Sequence, residues 1–450
     1  MKGRKKDKDE PHSTHLWNPK ILLSRFLHLD LDRRDDRNAY YLVVEVFWAA
    51  FLNAAASFNV AYALRLDATD QMVGYLSSIP ALFAIFLSIP AGQWVQRTKN
   101  KNRLLITSLA VFRLGYVAVA LVPWLNFLNI PDGSVVIILL ILFAVTQRPM
   151  IIGFSPMMSE VLPVNKQAPV ISARMQIMSA VQSVSVFLFG LWLDKIIFPL
   201  NYQLMYFFAF GLSIISTVLL ARIERPKEKT ESEPENAEKG KVPLKAKIND
   251  LVKVAKENPT LVKYMVNVLC MDFGMWVTSP LFSIYYINNM GASDGWLGTA
   301  SALHNVAVIV GYSLWRPVVN RLGAMKLLQY AALLRPLWPL SIALAPNLTW
   351  ILVIHGIWGL IVPSIGLSSQ SAFLQVLPAD AREAGQALHS TVQNASMFVS
   401  PLLGVAIAEV IGIPTTLLIF AGVRLLGSFM WTINPIMDRK QPASVISAGE

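Results

Sequence analysis

Glu45, Arg113, Arg148, Asp272, Arg335 and Arg424 are ionisable residues that each sit inside a long run of apolar residues. A charge at the centre of a lipid-immersed helix costs about 3 kcal/mol on insertion scales. Such groups have to face one another or a water-filled cavity, and there they can hold a charged solute or carry a proton. Arg113 follows Arg103 by ten residues and Arg335 follows Lys326 by nine. At 1.5 Å per residue, both arginines then stand ~15 Å inside the same boundary. Four arginines against two acids favour an anionic or carboxylate-bearing solute. On this reading Arg113, Arg148, Arg335 and Asp272 are candidates to line a substrate cavity, while Glu45 and Asp272 are candidate counter-charges or proton carriers. Asn53 and Gln147 either join that lining or bond across helices. The competing reading locks each charge in an interhelical ion pair that only holds the helices together. His304 and His355 read as neutral, hydrogen-bonded core histidines, and Asp194 and Glu409 as solvated residues at helix ends.

The elements that must position these groups are legible in hydropathy. The chain has 450 residues, of which 54% are hydrophobic and 15% charged, and a mean hydropathy of +0.48. Soluble domains average about 25% charged residues, so the lipid bilayer is the expected solvent. A spanning helix needs roughly 20 apolar residues. Twelve stretches qualify: 40–65, 72–94, 104–126, 134–157, 170–194, 203–222, 261–288, 296–315, 327–346, 350–373, 386–410 and 415–435. No short apolar core with a cleavage site precedes the first of them. The single cysteine, Cys270, lies in the seventh stretch and excludes an intramolecular disulfide. The net charge of +11 reflects topology and does not mark a nucleic-acid partner. Ten Lys and Arg lie in residues 1–38, eleven lie between Arg222 and Lys263, and only Arg65 and Lys195 fall in loops of the opposite side. Basic residues accumulate on the cytoplasmic side of membrane proteins. Both termini are therefore expected to be cytoplasmic in a cell membrane, against anionic lipid.

The chain divides into a tail (1–38), a bundle (39–222), a charged linker (223–258), a second bundle (259–436) and a short tail (437–450). An interfacial amphipathic segment is expected from Trp17 to about Leu31. After residue 243 the linker places Leu244, Ile248, Leu251, Val252 and Ala255 at helical spacing among lysines, as in a basic amphipathic helix on a membrane surface. The two bundles repeat. Ala68-Thr-Asp70-Gln-Met-Val-Gly74 returns as Ala292-Ser-Asp294-Gly-Trp-Leu-Gly298, and Val95-Gln96-Arg97 returns as Val319-Asn320-Arg321, both at an offset of 224. Val161-Leu-Pro163 returns as Val376-Leu-Pro378. Duplicated six-helix halves are the parallel repeats of a large transporter class, with the solute site between them.

On these features the chain resembles the major facilitator superfamily over roughly residues 39–436. The family's loop signature between its second and third spans, Gly-x-Leu-x-Asp-Arg-x-Gly-Arg-Lys, reads here as Gly92-Gln-Trp94-Val-Gln96-Arg97 followed by a basic cluster. The second copy carries Asn320, Arg321 and Gly323. The resemblance implies an all-α fold of twelve transmembrane helices in two pseudo-symmetric bundles. It also implies gate loops at Gly92, Gln96, Arg97, Asn320, Arg321 and Gly323, with the glycine permitting close helix approach. An amide stands in both copies where the family has an acid, which removes the charge-assisted part of the gate's hydrogen bonding. The span-five pattern of drug exporters is absent, and no sugar-porter motif is found, so the substrate class stays open.

The implied function is secondary transport of a small solute by alternating access, coupled to a proton or another cation, by a monomer without a cofactor. A receptor, chaperone or lipid-handling protein on the same fold is the alternative. There is no phosphate-binding loop for an ATPase, and no His-Glu-x-x-His cluster for a membrane enzyme.

Overall fold

A computed structural model describes residues 31–125, 131–225, 244–378, 381–433 and 436. The amphipathic segment from Trp17, the linker between 226 and 243, and the C-terminal tail lie outside the described residues. Every described element is a helix. In the first half these are α1 (Arg34–Ala56), α2 (Asn59–Arg65), α3 (Asp70–Arg97), α4 (Lys101–Leu125), α5 (Asp132–Thr146), α6 (Arg148–Val161), α7 (Val164–Leu193) and α8 (Leu200–Ala221). A connecting helix α9 (Leu244–Glu257) leads to α10 (Pro259–Ile284), α11 (Asp294–Leu322), α12 (Ala324–Leu334), α13 (Leu337–Ala343), α14 (Leu348–Val376), α15 (Arg382–Ile411) and α16 (Ile413–Ile433).

Eleven stretches of described helix are long and apolar enough to cross a membrane, with α1 joined to α2 and α5 to α6. The remaining crossing, expected at 327–346, is split into α12 and α13 around Arg335 and Pro336, so neither piece is long enough alone. Proline lacks the amide hydrogen and crowds the preceding turn, which accounts for a break there and for the one at Gln147, where Pro149 follows. Nothing in the structure explains the break at Ser57.

Packing repeats between the halves. α1 lies against α7 and α8, as α10 lies against α15 and α16. α4 packs on α8 as α13 packs on α16, and α3 packs on α5 and α6 as α11 packs on α14. The halves meet along two seams, α3 with α15 and α7 with α11. The connecting helix α9 also docks on α15. Its Val254 is buried in a cluster with Tyr264, Phe373 and Trp431. The apolar side expected to face lipid is thus partly used against the second half.

Contacts also define two ends of the bundle. At one end the starts of α1 and α7 and the chain after α8 meet through the ion pairs Asp36–Lys166 and Arg37–Glu224. This end carries Arg97, Lys99, Lys101 and Arg103 and is called the basic face below. At the opposite, far face the end of α2 meets the start of α11.

Candidate functional site

Each half pairs an acid of its first span with an arginine of another of its spans, Glu45 buried and Asp272 half-buried. In the first half, Arg174 of α7 reaches Glu45 at 2.6 Å. It also donates to the Leu42 carbonyl and lies 4.7 Å from the Phe154 ring centroid. Ser216 Oγ donates to Glu45 at 2.6 Å. Arg113 is bound by the serine- and threonine-rich face of α8, donating to Ser216 Oγ at 2.9 Å, to Thr217 Oγ1 and to the Ser213 carbonyl. Arg113 is 5% exposed, so its guanidinium is used inside this half. In the second half, Arg335 pairs with Asp272, whose other oxygen accepts from Gln393 Nε2 at 3.2 Å. Arg335 Nη2 points at Met275 Sδ, 3.6 Å away. Both acids expected from sequence are therefore paired within their own half. Arg174, which the sequence reading passed over, is the partner of Glu45.

A cavity of about 630 Å³ opens between the halves. Its lining is contributed mainly by the second half: Met275, Ser279 and Phe282 of α10, Ser301, His304 and Asn305 of α11, Arg335 at the α12–α13 break, Trp338, His355, Trp358 and Arg424. The first half contributes Ser57, Gln182 and Val186. A chamber of about 220 Å³ adjoins it, sharing Ser57, Phe282, Trp338 and His355 and adding Tyr286 and Trp296. The helix breaks at Ser57 and Arg335 therefore both face the cavity.

Of the sequence candidates, Arg335 lines this cavity. Asp272 stands one contact behind it. Arg148 donates to the Pro80 carbonyl at 2.6 Å, and Asn53 Nδ2 meets Met178 Sδ at 3.3 Å. Gln147 occupies the α5–α6 break, half-buried. His304 does make the expected hydrogen bond, to the His355 carbonyl at 3.3 Å. His355 does not: both of its ring nitrogens are buried without a partner, and its ring faces Trp338 at 5.0 Å.

The far end of the cavity is closed by residues the repeat had marked. Arg65 Nε and Nη2 both donate to Asp294 Oδ1, at 3.0 and 2.9 Å, and Tyr202 OH donates to the same oxygen at 2.6 Å. At the related position in the other half, Asn288 donates to Asp70 Oδ1 at 3.3 Å. Asn288 lies in a π-helical turn, Tyr285–Asn289, that ends the seventh span. Asp194 accepts from Ser293 at 2.8 Å, and Glu409 accepts from Gln71 Nε2 at 3.1 Å. Asp194 and Glu409 are therefore cross-half partners and not merely solvated helix ends. In the α7–α11 seam, Gly190 and Gly298 face each other. A Cβ on Gly298 would lie 2.7 Å from the Val186 carbonyl oxygen and 3.0 Å from Gly190 Cα.

The basic face is different. Gln96, Arg97, Asn320 and Arg321 are exposed and make no hydrogen bond or ion pair with described residues. A Cβ on Gly92 would sit 3.8 Å from Ile152, an ordinary contact, so the close approach expected there is not used in this conformation. Gly323 is needed for a different reason, because it ends α11 with a φ of +83° that side chains with a Cβ rarely adopt.

No curated protein matches the sequence. Among solved structures, the chain is similar to a bacterial homologue of the human lysosomal transporter Spinster in an inward-facing, unoccupied conformation, at 14% identity and a TM-score of 0.60, covering 91% of this chain and 99% of that one. It is similar to the nucleoside transporter NupG at 12% identity and 0.61, over 88% and 98% of the two chains. A POT family transporter in complex with a thioalcohol-conjugated peptide gives 13% and 0.64, over 88% and 96%. At such identities these likenesses establish the fold. The Major Facilitator Superfamily profile matches residues 46–372 and 264–449. With both halves of the chain covered in this way, the protein belongs to the Major Facilitator Superfamily and is a secondary transporter.

Proposed function

We propose that the protein moves a small anionic solute by alternating access, with the solute held in the 630 Å³ cavity and the described conformation open towards the cytoplasm. The observation that carries this reading is a cavity between two like-packed halves whose cross-half side-chain bonds, among the described residues, lie at the far face. Among the described residues, the exposed gate-loop residues Gln96, Arg97, Asn320 and Arg321 have no partner across the halves, and the lysine and arginine bias supports a cytoplasmic placement of that face. The bundles 39–222 and 259–436 are the rocking bodies, and the α3–α15 and α7–α11 seams are where they slide. The protein works as a monomer in this scheme, and the chemistry is transport without catalysis.

Asp272 is the coupling group in this scheme. It shares Arg335 with whatever enters the cavity, so a proton on Asp272 frees the arginine for an anion. Glu45, enclosed by Arg174 and Ser216, holds the first half rigid. The test is flux into proteoliposomes under an imposed proton gradient, with labelled solutes of several charge classes. Wild-type protein accumulates an anion. Asp272→Asn keeps exchange across the membrane but loses at least about ten-fold of the gradient-driven accumulation, as expected when a proton carrier is neutralised. Undiminished accumulation by Asp272→Asn would reject the coupling role, and a wild-type protein that accumulates nothing would reject transport.

A further inference from the structure

Arg424 is a charged cavity residue that the fold leaves with orphaned donors. It is 2% exposed and lines the cavity from α16. Its Nε and Nη1 are buried without a hydrogen-bond partner, and Nε of Arg335 is in the same state. The charged neighbours of Arg424 are Arg335 and Asp272. Asp272 is already engaged by Arg335 and Gln393. One carboxylate therefore serves two guanidinium groups, which leaves a single positive charge over. A buried charge without a partner is among the costliest features a fold can carry. Arg424 is nevertheless accommodated closely: a Cβ on Gly274 would lie 2.4 Å from Arg424 Cγ, so α10 is bare where the arginine passes.

The rest of the wall is flat and aromatic. Trp338 and Trp358 stack at 5.5 Å with 29° between their planes, and Phe282 stands edge-on to Trp338 at 5.7 Å. The unpartnered His355 ring completes this surface and supplies a hydrogen-bonding edge within it. Arginine's planar fork suits a carboxylate held by two parallel bonds, and aromatic faces suit another ring. We propose that the solute is an organic monoanion with a planar aromatic ring, its carboxylate held by Arg424 and Arg335 and its ring set against Trp338 and His355. The assignment rests on reading this cavity as the transport site. The volume fits one or two fused rings within the range of small-molecule pockets.

The experiment follows thermal unfolding of the purified full-length protein with five probes: indole-3-acetate, benzoate, cyclohexanecarboxylate, indole-3-acetamide and tryptamine. A ligand that binds only the native state raises the melting temperature, by an amount that grows with the logarithm of its concentration over its Kd. The two aromatic carboxylates should stabilise at concentrations at least about ten-fold below the other three. Equal stabilisation by the amide, the amine or the non-aromatic acid would overturn the assignment, and so would stabilisation by none of the five. Arg424→Leu should leave the ligand-free melting temperature unchanged or raised, since it removes an unpaired buried charge, while weakening aromatic carboxylate binding about 10- to 100-fold. Gly274→Ala should weaken it too, by moving the arginine without removing its charge. A lowered ligand-free melting temperature with binding retained in Arg424→Leu would make Arg424 a structural residue. Binding without flux in proteoliposomes would sink the transport reading and keep the ligand class. Gradient-driven flux of a neutral or cationic solute, with no binding of aromatic acids, would do the reverse.

Discussion

Glu45 and Asp272 both lie on the first span of their half, α1 and α10, in different surroundings. Glu45 is 3% exposed, and its carboxylate is taken up by Arg174 and Ser216, with Arg113 bound to the same serine. Removing one partner of such a buried pair leaves the other charge stranded, at a cost of about 3–5 kcal/mol. Glu45→Gln should therefore lower the midpoint of thermal unfolding sharply, and adding Arg174→Gln to it should recover much of the loss; a single variant as stable as wild type would contradict this. The sequence made the acids and Arg335 visible as charges deep in apolar stretches. Arg174 was missed because it stands only four residues inside the stretch that begins at 170, where a long cationic side chain reaches the interface without a partner. Neither could the orphaned nitrogens of His355 be read from sequence, because they depend on which rings surround it.

At the scale of elements, hydropathy located twelve crossings because each must supply its own length of apolar helix. It could not locate the breaks at Ser57, Gln147 and Arg335, since a broken helix keeps the same composition. The seams depend on backbone approach. A Cβ on Gly298 would meet the Val186 carbonyl oxygen at 2.7 Å, whereas the nearest atom to one on Gly74, its repeat partner, would be a Val405 methyl at 3.2 Å, with backbone no nearer than 3.8 Å. Backbone cannot step aside as a methyl group can. Gly298→Ala should thus cost about 1–3 kcal/mol of the closed far face, and Gly74→Ala much less. Melting temperatures that fall equally for the two variants would refute the distinction. The amphipathic pattern of α9 was legible, but its docking of Val254 on the second half was not, because a pattern names a face and not what covers it.

At the scale of the whole molecule the halves are bonded across the far face, and two members of that seal, Asp194 and Glu409, read in the sequence as solvated helix ends. The repeat itself was legible at Asp70 and Asp294; that the two copies meet opposite halves is a property of the pseudo-twofold arrangement, which sequence alone does not display. Asp294→Ala removes the acceptor shared by Arg65 and Tyr202. In a Cys270→Ala background carrying Ser57→Cys, this change should raise labelling by an impermeant thiol reagent from the far side about ten-fold or more, given that a charge-assisted bond contributes about 1.5–3 kcal/mol. No increase would mean that the seal lies elsewhere.

The two sides of that seal differ in strength. One side holds its aspartate with a guanidinium and a phenol; the other holds the equivalent aspartate with one amide. Under the alternating access proposed above, such a molecule should not part evenly along its midline. Opening should begin at the Asp70 corner, where α3 leaves α15, and turn about the Arg65–Asp294 corner as a door turns on its remaining hinge.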